Sequence, residues 1–234
     1  MTVGIRDLLS WAQDYAYAAN RQLRALTSRE SPRGFQTGDG CPVVIIPGVY
    51  ETWKFLQPLI KRVHDAGHPV YVVDRLSWNI ASVPDAARHV ADFIADEHLT
   101  DVVLLAHSKG GLIGKFVMIG HDADSRIAGM IAVAAPFSGS TYAKYMLPPS
   151  LRSFAARNKH IIGLNENTKT NRKITSIFAR FDPHIPEGSA LAGARNFEID
   201  TGGHFRLLAD VRVIDAVMTV LAGFGHPNGI ASAE

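Results

Sequence analysis

Apolar positions along the chain follow two patterns. At the start, Ile5, Leu8, Leu9, Ala12, Tyr15, Ala16, Ala19, Leu23 and Leu26 recur with a period of about 3.6, so this segment reads as an amphipathic helix. Its apolar stripe is expected to pack on the protein's own body rather than on a membrane surface, and residues 1–40 to form that helix plus a loop. From residue 41 the text changes to short unbroken apolar runs. These predict strands at Val43–Ile46, 69–74, 102–105, 129–136, 173–182 and 196–200. Between them, helical spacing returns at Trp53–Ala66, at Pro84–His98, after Ser108 through Leu112, Ile113, Phe116, Val117 and Ile119, and from about Phe205 to Leu221. Strands that are apolar on both faces and separated by helices imply a parallel sheet covered by helices on each side. The fold class is therefore α/β, with residues 41–234 as one domain.

One stretch interrupts the alternation. From Phe137 to Arg172 no apolar strand appears, and Pro148-Pro149 breaks what helical fragments there are. Between 137 and 173 the cations Lys144, Arg152, Arg157, Lys159, Lys169, Arg172 and Lys173 face one acid, Glu166. A connection this long in a compact domain is usually functional or mobile. Residues 138–172 are therefore read either as a lid-like cover over a site, with affinity for anionic lipid surfaces, or as a solvated basic face.

Composition narrows the classes. The chain has 234 residues, 47% of them hydrophobic and 20% charged, as in an ordinary soluble globular protein. A net charge of +2, without basic runs interleaved with aromatics, excludes a nucleic-acid groove from the expectations. A lone cysteine, Cys41, permits neither an internal disulfide nor a cysteine zinc cluster. Charges at Arg6, Asp7 and Asp14 break up the apolar centre that a secretion signal needs, so a cytoplasmic location is expected.

The chemistry concentrates at VVLLAHSKGGLIG, residues 102–114, where a buried strand ends abruptly on His107 and Ser108 before a helix begins. Ala106, Gly110 and Gly111 leave room for a strained backbone at the serine. A serine hydroxyl becomes a nucleophile only when a base takes its proton and a third group orients that base. In open parallel sheets such partners come from the carboxyl ends of strands. Asp182 follows the strand ITSIFARF, and His204 follows NFEID through Thr201-Gly202-Gly203. The order Ser108, Asp182, His204 is that of a serine elbow in a sheet hydrolase. Asp200 is the rival acid. His107 is read as a structural hydrogen-bonding residue. His64, His68, His89, His98, His121, His160 and His184 lack carboxylate neighbours at metal-ligand spacing, so neither metal nor cofactor is expected.

These segments resemble the α/β-hydrolase superfamily, and within it small bacterial lipases and esterases. The likeness runs through PVVIIPGVY, AHSKGG, VAAPFSGS, IFARFDPHIP and GGHF, with Ala106 at the first place of G-x-S-x-G, as in bacillus-type lipases. It implies a minimal, mostly parallel sheet of about six strands and an acyl-serine route to ester hydrolysis on a small-molecule or lipid ester. It also implies an oxyanion site made by the backbone N–H groups of Val49 and Lys109, leaving the Lys109 side chain free to face solvent or to meet an acidic group on the substrate. Tyr50, Phe137, Tyr142 and Tyr145, with Trp53, Phe55 and Trp78, flank the site loops and are candidates for an acyl pocket or else for the core. A thioesterase, an amidase or a non-catalytic binding homologue would share the same sequence features.

Overall fold

A computed structural model describes residues 5–122, 124–141, 163–164 and 166–225, with side chains from Leu9 onward. The element order is α1 (Ile5–Thr27), β1 (Val43–Ile46), α2 (Gln57–Asp65), β2 (Val70–Val72), α3 (Val83–Asp96), β3 (Val102–His107), α4 (Lys109–Gly120), β4 (Ile127–Val133), β5 (Ile174–Phe181), β6 (Arg195–Gly202) and α5 (Val211–Ala222). The six strands form one sheet in the order β2-β1-β3-β4-β5-β6, and every neighbouring pair is parallel. Register is fixed by pairs such as Ile46 with Ala106 and His107 with Val133. The chain leaves β1 in one direction for β2 and in the other for β3. That reversal makes the carboxyl ends of β1 and β3 the natural place for a site.

Strands β1, β3 and β4 are apolar on both sides because both sides are covered, whereas the edge strand β6 exposes Arg195, Asn196, Glu198 and Asp200. Val44, Ile46, Leu104 and Met130 pack with Val90 of α3 and Ile113 of α4. Val43, Ile45, Val103 and Ile131 point the other way, onto Leu59 of α2 and Val217 of α5. The period of two between these sets is the pleat of a strand. Each such side chain, fully withdrawn from water, stabilises the fold by about 1.5–3 kcal/mol before entropy is counted.

Local chemistry sets the element ends. Ser82 caps α3 by accepting the Asp85 N–H at 3.2 Å, with Pro84 in the first turn where no donor is required. The strand predicted to reach 136 ends at Val133, because Ala134 turns to φ 50° and Pro136 follows. The predicted final helix is broken: a 3-10 turn at Arg206–Ala209 precedes Asp210, whose side chain accepts the Arg212 N–H and restarts the chain as α5.

Helix α1 departs from expectation in its orientation. Among its described side chains, Asp14, Arg21 and Ala25 are buried, while Leu9, Trp11, Tyr15, Leu23 and Leu26 are exposed. The polar face turns inward because it meets backbone groups that it can bond. Asp14 Oδ1 accepts the N–H groups of Phe205 and Arg206, both at 2.8 Å, and Arg21 Nη2 donates to the Lys54 carbonyl at 2.6 Å. An apolar face could not satisfy those groups. Most of the interrupting stretch 138–172 lies outside the described residues.

Candidate active site

Ser108 stands between the last residue of β3 and the first of α4, at φ 51° and ψ −121°. A left-handed backbone is costly for a residue with a Cβ, and it persists only where the surroundings enforce it. Here the Ser108 N–H is held by the Val133 carbonyl at 2.9 Å, and its own carbonyl accepts from Gly111 N at 3.0 Å. Gly110 then passes so close to β1 that a Cβ on it would lie 2.1 Å from the Ile46 carbonyl oxygen. Only glycine allows this approach, which aims α4 away from the sheet and leaves the serine hydroxyl at the tip.

The serine hydroxyl meets an imidazole. His204 Nε2 lies 3.0 Å from Ser108 Oγ, and His204 Nδ1 lies 2.7 Å from Asp182 Oδ2. With Nδ1 donating to the carboxylate, Nε2 is the acceptor for the serine proton. Asp182 is itself fixed, because its Oδ1 accepts the backbone N–H groups of His184 at 2.8 Å and Ile185 at 3.1 Å. Burial pushes the Asp182 carboxyl up, but the charge of His204 and their hydrogen bond outweigh it and hold the group below its ordinary range. Burial likewise pushes His204 down, and the charge and hydrogen bond of Asp182 override that and raise it. Asp200, the rival acid, is exposed and receives Arg180 Nε at 2.9 Å instead.

Above these groups opens a cavity of about 530 Å³ lined by Ser108, His204, Val49, Tyr50, Phe55, Pro136, Ile185 and the α1 residues Tyr15, Ala18, Ala19 and Gln22, among others. Val49 and Lys109 flank the serine. Lys109 opens α4, where a helix's first amides have no carbonyl of their own helix to bond and remain available as donors.

No protein-family model and no curated protein matches the sequence. Solved structures do match by shape. A lipase of Bacillus licheniformis in its mature form aligns with a TM-score of 0.62 at 15% identity, over 78% of this chain and 92% of that one. A monoacylglycerol lipase of Paleococcus ferrophilus aligns at 0.60 and 14% identity, over 82% and 97%. A thermophilic esterase of Thermogutta terrifontis aligns at 0.58 and 15%, over 81% and 92%. The chain has the α/β-hydrolase fold.

Within that hydrolase fold several residues sit otherwise than expected. Phe137 does not line the cavity; it is buried in the core on the α3/α4 side of the sheet, because the turn after Ala135 folds its ring back beneath Gly111 of α4. Pro136 takes the place at the cavity wall. Trp53 and Trp78 line a separate depression with Leu26. Tyr142 and Tyr145 lie outside the described residues. The Lys109 side chain does not face solvent. It is buried, its ammonium donating to the carbonyls of Asn79, at 2.7 Å, and Ala81, and burial pushes it down to about 8. Asn79 in turn donates to the Pro47 carbonyl at 2.6 Å, and Tyr50 N donates to the Trp78 carbonyl at 2.8 Å. Lys109 thus braces the loop that supports Val49.

Glu51 and His107 form a second buried link, and neither pairing has a local signal in the sequence. Glu51 Oε2 accepts the Gly48 N–H at 2.8 Å and lies 2.9 Å from His107 Nδ1, while His107 Nε2 faces the His204 carbonyl at 3.2 Å. The pair ties the loop carrying Val49 to the loop carrying His204. His184 packs its ring 5.0 Å from that of His204, and burial followed by the His204 charge pushes it down to about 4. It therefore stays neutral where His204 titrates.

Proposed function

We propose that the chain is a serine hydrolase that cleaves carboxylic esters through an acyl-serine intermediate. The observation that carries the reading is the hydrogen-bonded series Ser108, His204, Asp182 at the floor of a largely apolar cavity. The fold shared with lipases and esterases supports it.

In this mechanism Ser108 Oγ attacks the ester carbonyl as His204 Nε2 takes its proton, and Asp182 stabilises the resulting imidazolium. The carbonyl electrons move onto oxygen, where the N–H groups of Lys109 and Val49 receive the charge, each donor contributing about 3 kcal/mol. Collapse of the intermediate expels the alcohol, which takes the proton from His204. Water then repeats the sequence on the acyl-serine, releasing the carboxylic acid and restoring the serine. The apolar cavity favours an acyl chain of medium length or a lipid ester over a charged substrate. A panel of p-nitrophenyl esters of increasing chain length, with phenol and acid released in equal amounts, tests the reading. Cleavage of matched thioesters or anilides in preference to esters would move the substrate class, and no turnover of any acyl compound would refute it.

A further inference from the structure

We infer that the outward face of α1 docks on a lipid surface and presents the cavity mouth to it; this rests on the ester-hydrolase reading and names where that enzyme meets its substrate. An amphipathic helix on a soluble body normally buries its apolar stripe. Here the stripe is turned out: Leu23 is 62% exposed and Leu26 65%, with Leu9, Trp11 and Tyr15 beside them, while Asp14 beneath is fully buried. The inward face is already occupied, since Asp14 holds the backbone after His204 and Arg21 the Lys54 carbonyl. The helix is thus pinned in this orientation by polar bonds that do not need the stripe.

The stripe leads into the mouth of the site. Tyr15, Ala18, Ala19 and Gln22 line the same cavity as Ser108, and Gln22 donates to the Tyr50 carbonyl at 2.7 Å, across the opening. Leu26 also lines a depression together with Trp78, which is likewise exposed. Gln13, Asn20 and Arg24 occupy the helix flank away from the mouth. This is the arrangement of a helix lying in a membrane interface, with aromatic residues at headgroup level and polar residues on the water side. The choice of occupant follows from the continuity with the mouth. A second copy seated on the stripe would lie across the opening that substrate must use, whereas a bilayer or droplet surface covers the stripe and delivers an ester to Ser108 in the same contact. Because apolar burial carries the attraction, salt should leave it intact, unlike the attraction of a basic patch.

The test uses the full chain bearing Ser108→Ala, so that no lipid is hydrolysed, mixed with phosphatidylcholine vesicles and separated by flotation at low and high salt. The protein should float with the vesicles at both. Adding Trp11→Ser, Leu23→Ser and Leu26→Ser should lower the partition by about tenfold or more. The same three substitutions in the active chain should leave turnover of a dissolved short-chain p-nitrophenyl ester within about twofold, because none of the three lines the cavity with Ser108. Absence of flotation, flotation lost at high salt, or flotation indifferent to the three substitutions would each overturn the inference. So would a dimer in solution that the substitutions split, which would assign the stripe to a second copy. Vesicle binding without turnover of any ester would refute the function proposed above and leave the docking surface standing.

Discussion

Asp182 and Asp200 carry the same side chain into opposite surroundings, and the difference can be read in activity. Asp182 is buried against His204 and fixed by two backbone donors, whereas Asp200 sits at the surface with Arg180. Asp182→Asn should lower kcat by roughly a thousandfold or more, since an amide cannot hold the imidazole in the required tautomer. Asp200→Asn should change it little; steady-state kinetics of the two variants decide the ranking. The pH profile follows from the same pair. Only neutral His204 can accept the serine proton, and Asp182 raises it above 6.5, so kcat/KM should climb with pH through a midpoint above that value. A rate flat from about pH 5 to 8 would count against a histidine base. Glu51→Gln keeps the shape of its side chain but leaves His107 facing an amide. It should lower kcat by about five- to tenfold with KM nearly unchanged, since an amide oxygen still accepts from Gly48 and His107 but without the charge that strengthens the bond. That Ser108, His204 and Asp182 come together could be read from sequence because each follows a strand at the carboxyl end of the sheet. Glu51 and His107 could not be paired, nor Lys109 buried, because their partners are distant in the chain and no spacing announces them.

Among the elements, α1 shows most plainly where pattern reading stops. Its periodicity identified a helix with one apolar side, but periodicity carries no information about which side faces in. That was decided by Asp14 and Arg21, whose hydrogen-bond partners belong to loops far along the sequence. Asp14→Ala would leave the N–H groups of Phe205 and Arg206 without their acceptor in a partly buried setting. It should cost about 1–2 kcal/mol of stability, read from denaturant unfolding, and reduce turnover because His204 precedes the released segment. Unchanged turnover with lowered stability would limit α1 to a structural brace. The break at Asp210 has a similar origin: the apolar spacing runs on through it, and only the capping chemistry divides a 3-10 turn from α5.

For the whole molecule, the parallel sheet and its two helical layers were legible because the unbroken apolar runs of β1 and β3 leave few alternatives once helices separate them, and the mixed runs of β5 and β6 extend the same alternation. The reversal of direction between β1's two neighbours then places the Val49 loop and the Ser108 turn side by side, and β5 and β6 deliver Asp182 and His204 to the same end of the sheet. The cavity wall was less legible, since α1 supplies much of it and Phe137 withdraws from it. In the proposed reaction acyl transfer turns on one atom, Ser108 Oγ. Treatment of the full chain with a fluorophosphonate, followed by peptide mass mapping, tests it most directly. One adduct is expected, on the peptide containing Ser108, with none formed in Ser108→Ala; an adduct on another residue, or a wild-type chain that takes up no label, would refute Ser108 as the nucleophile.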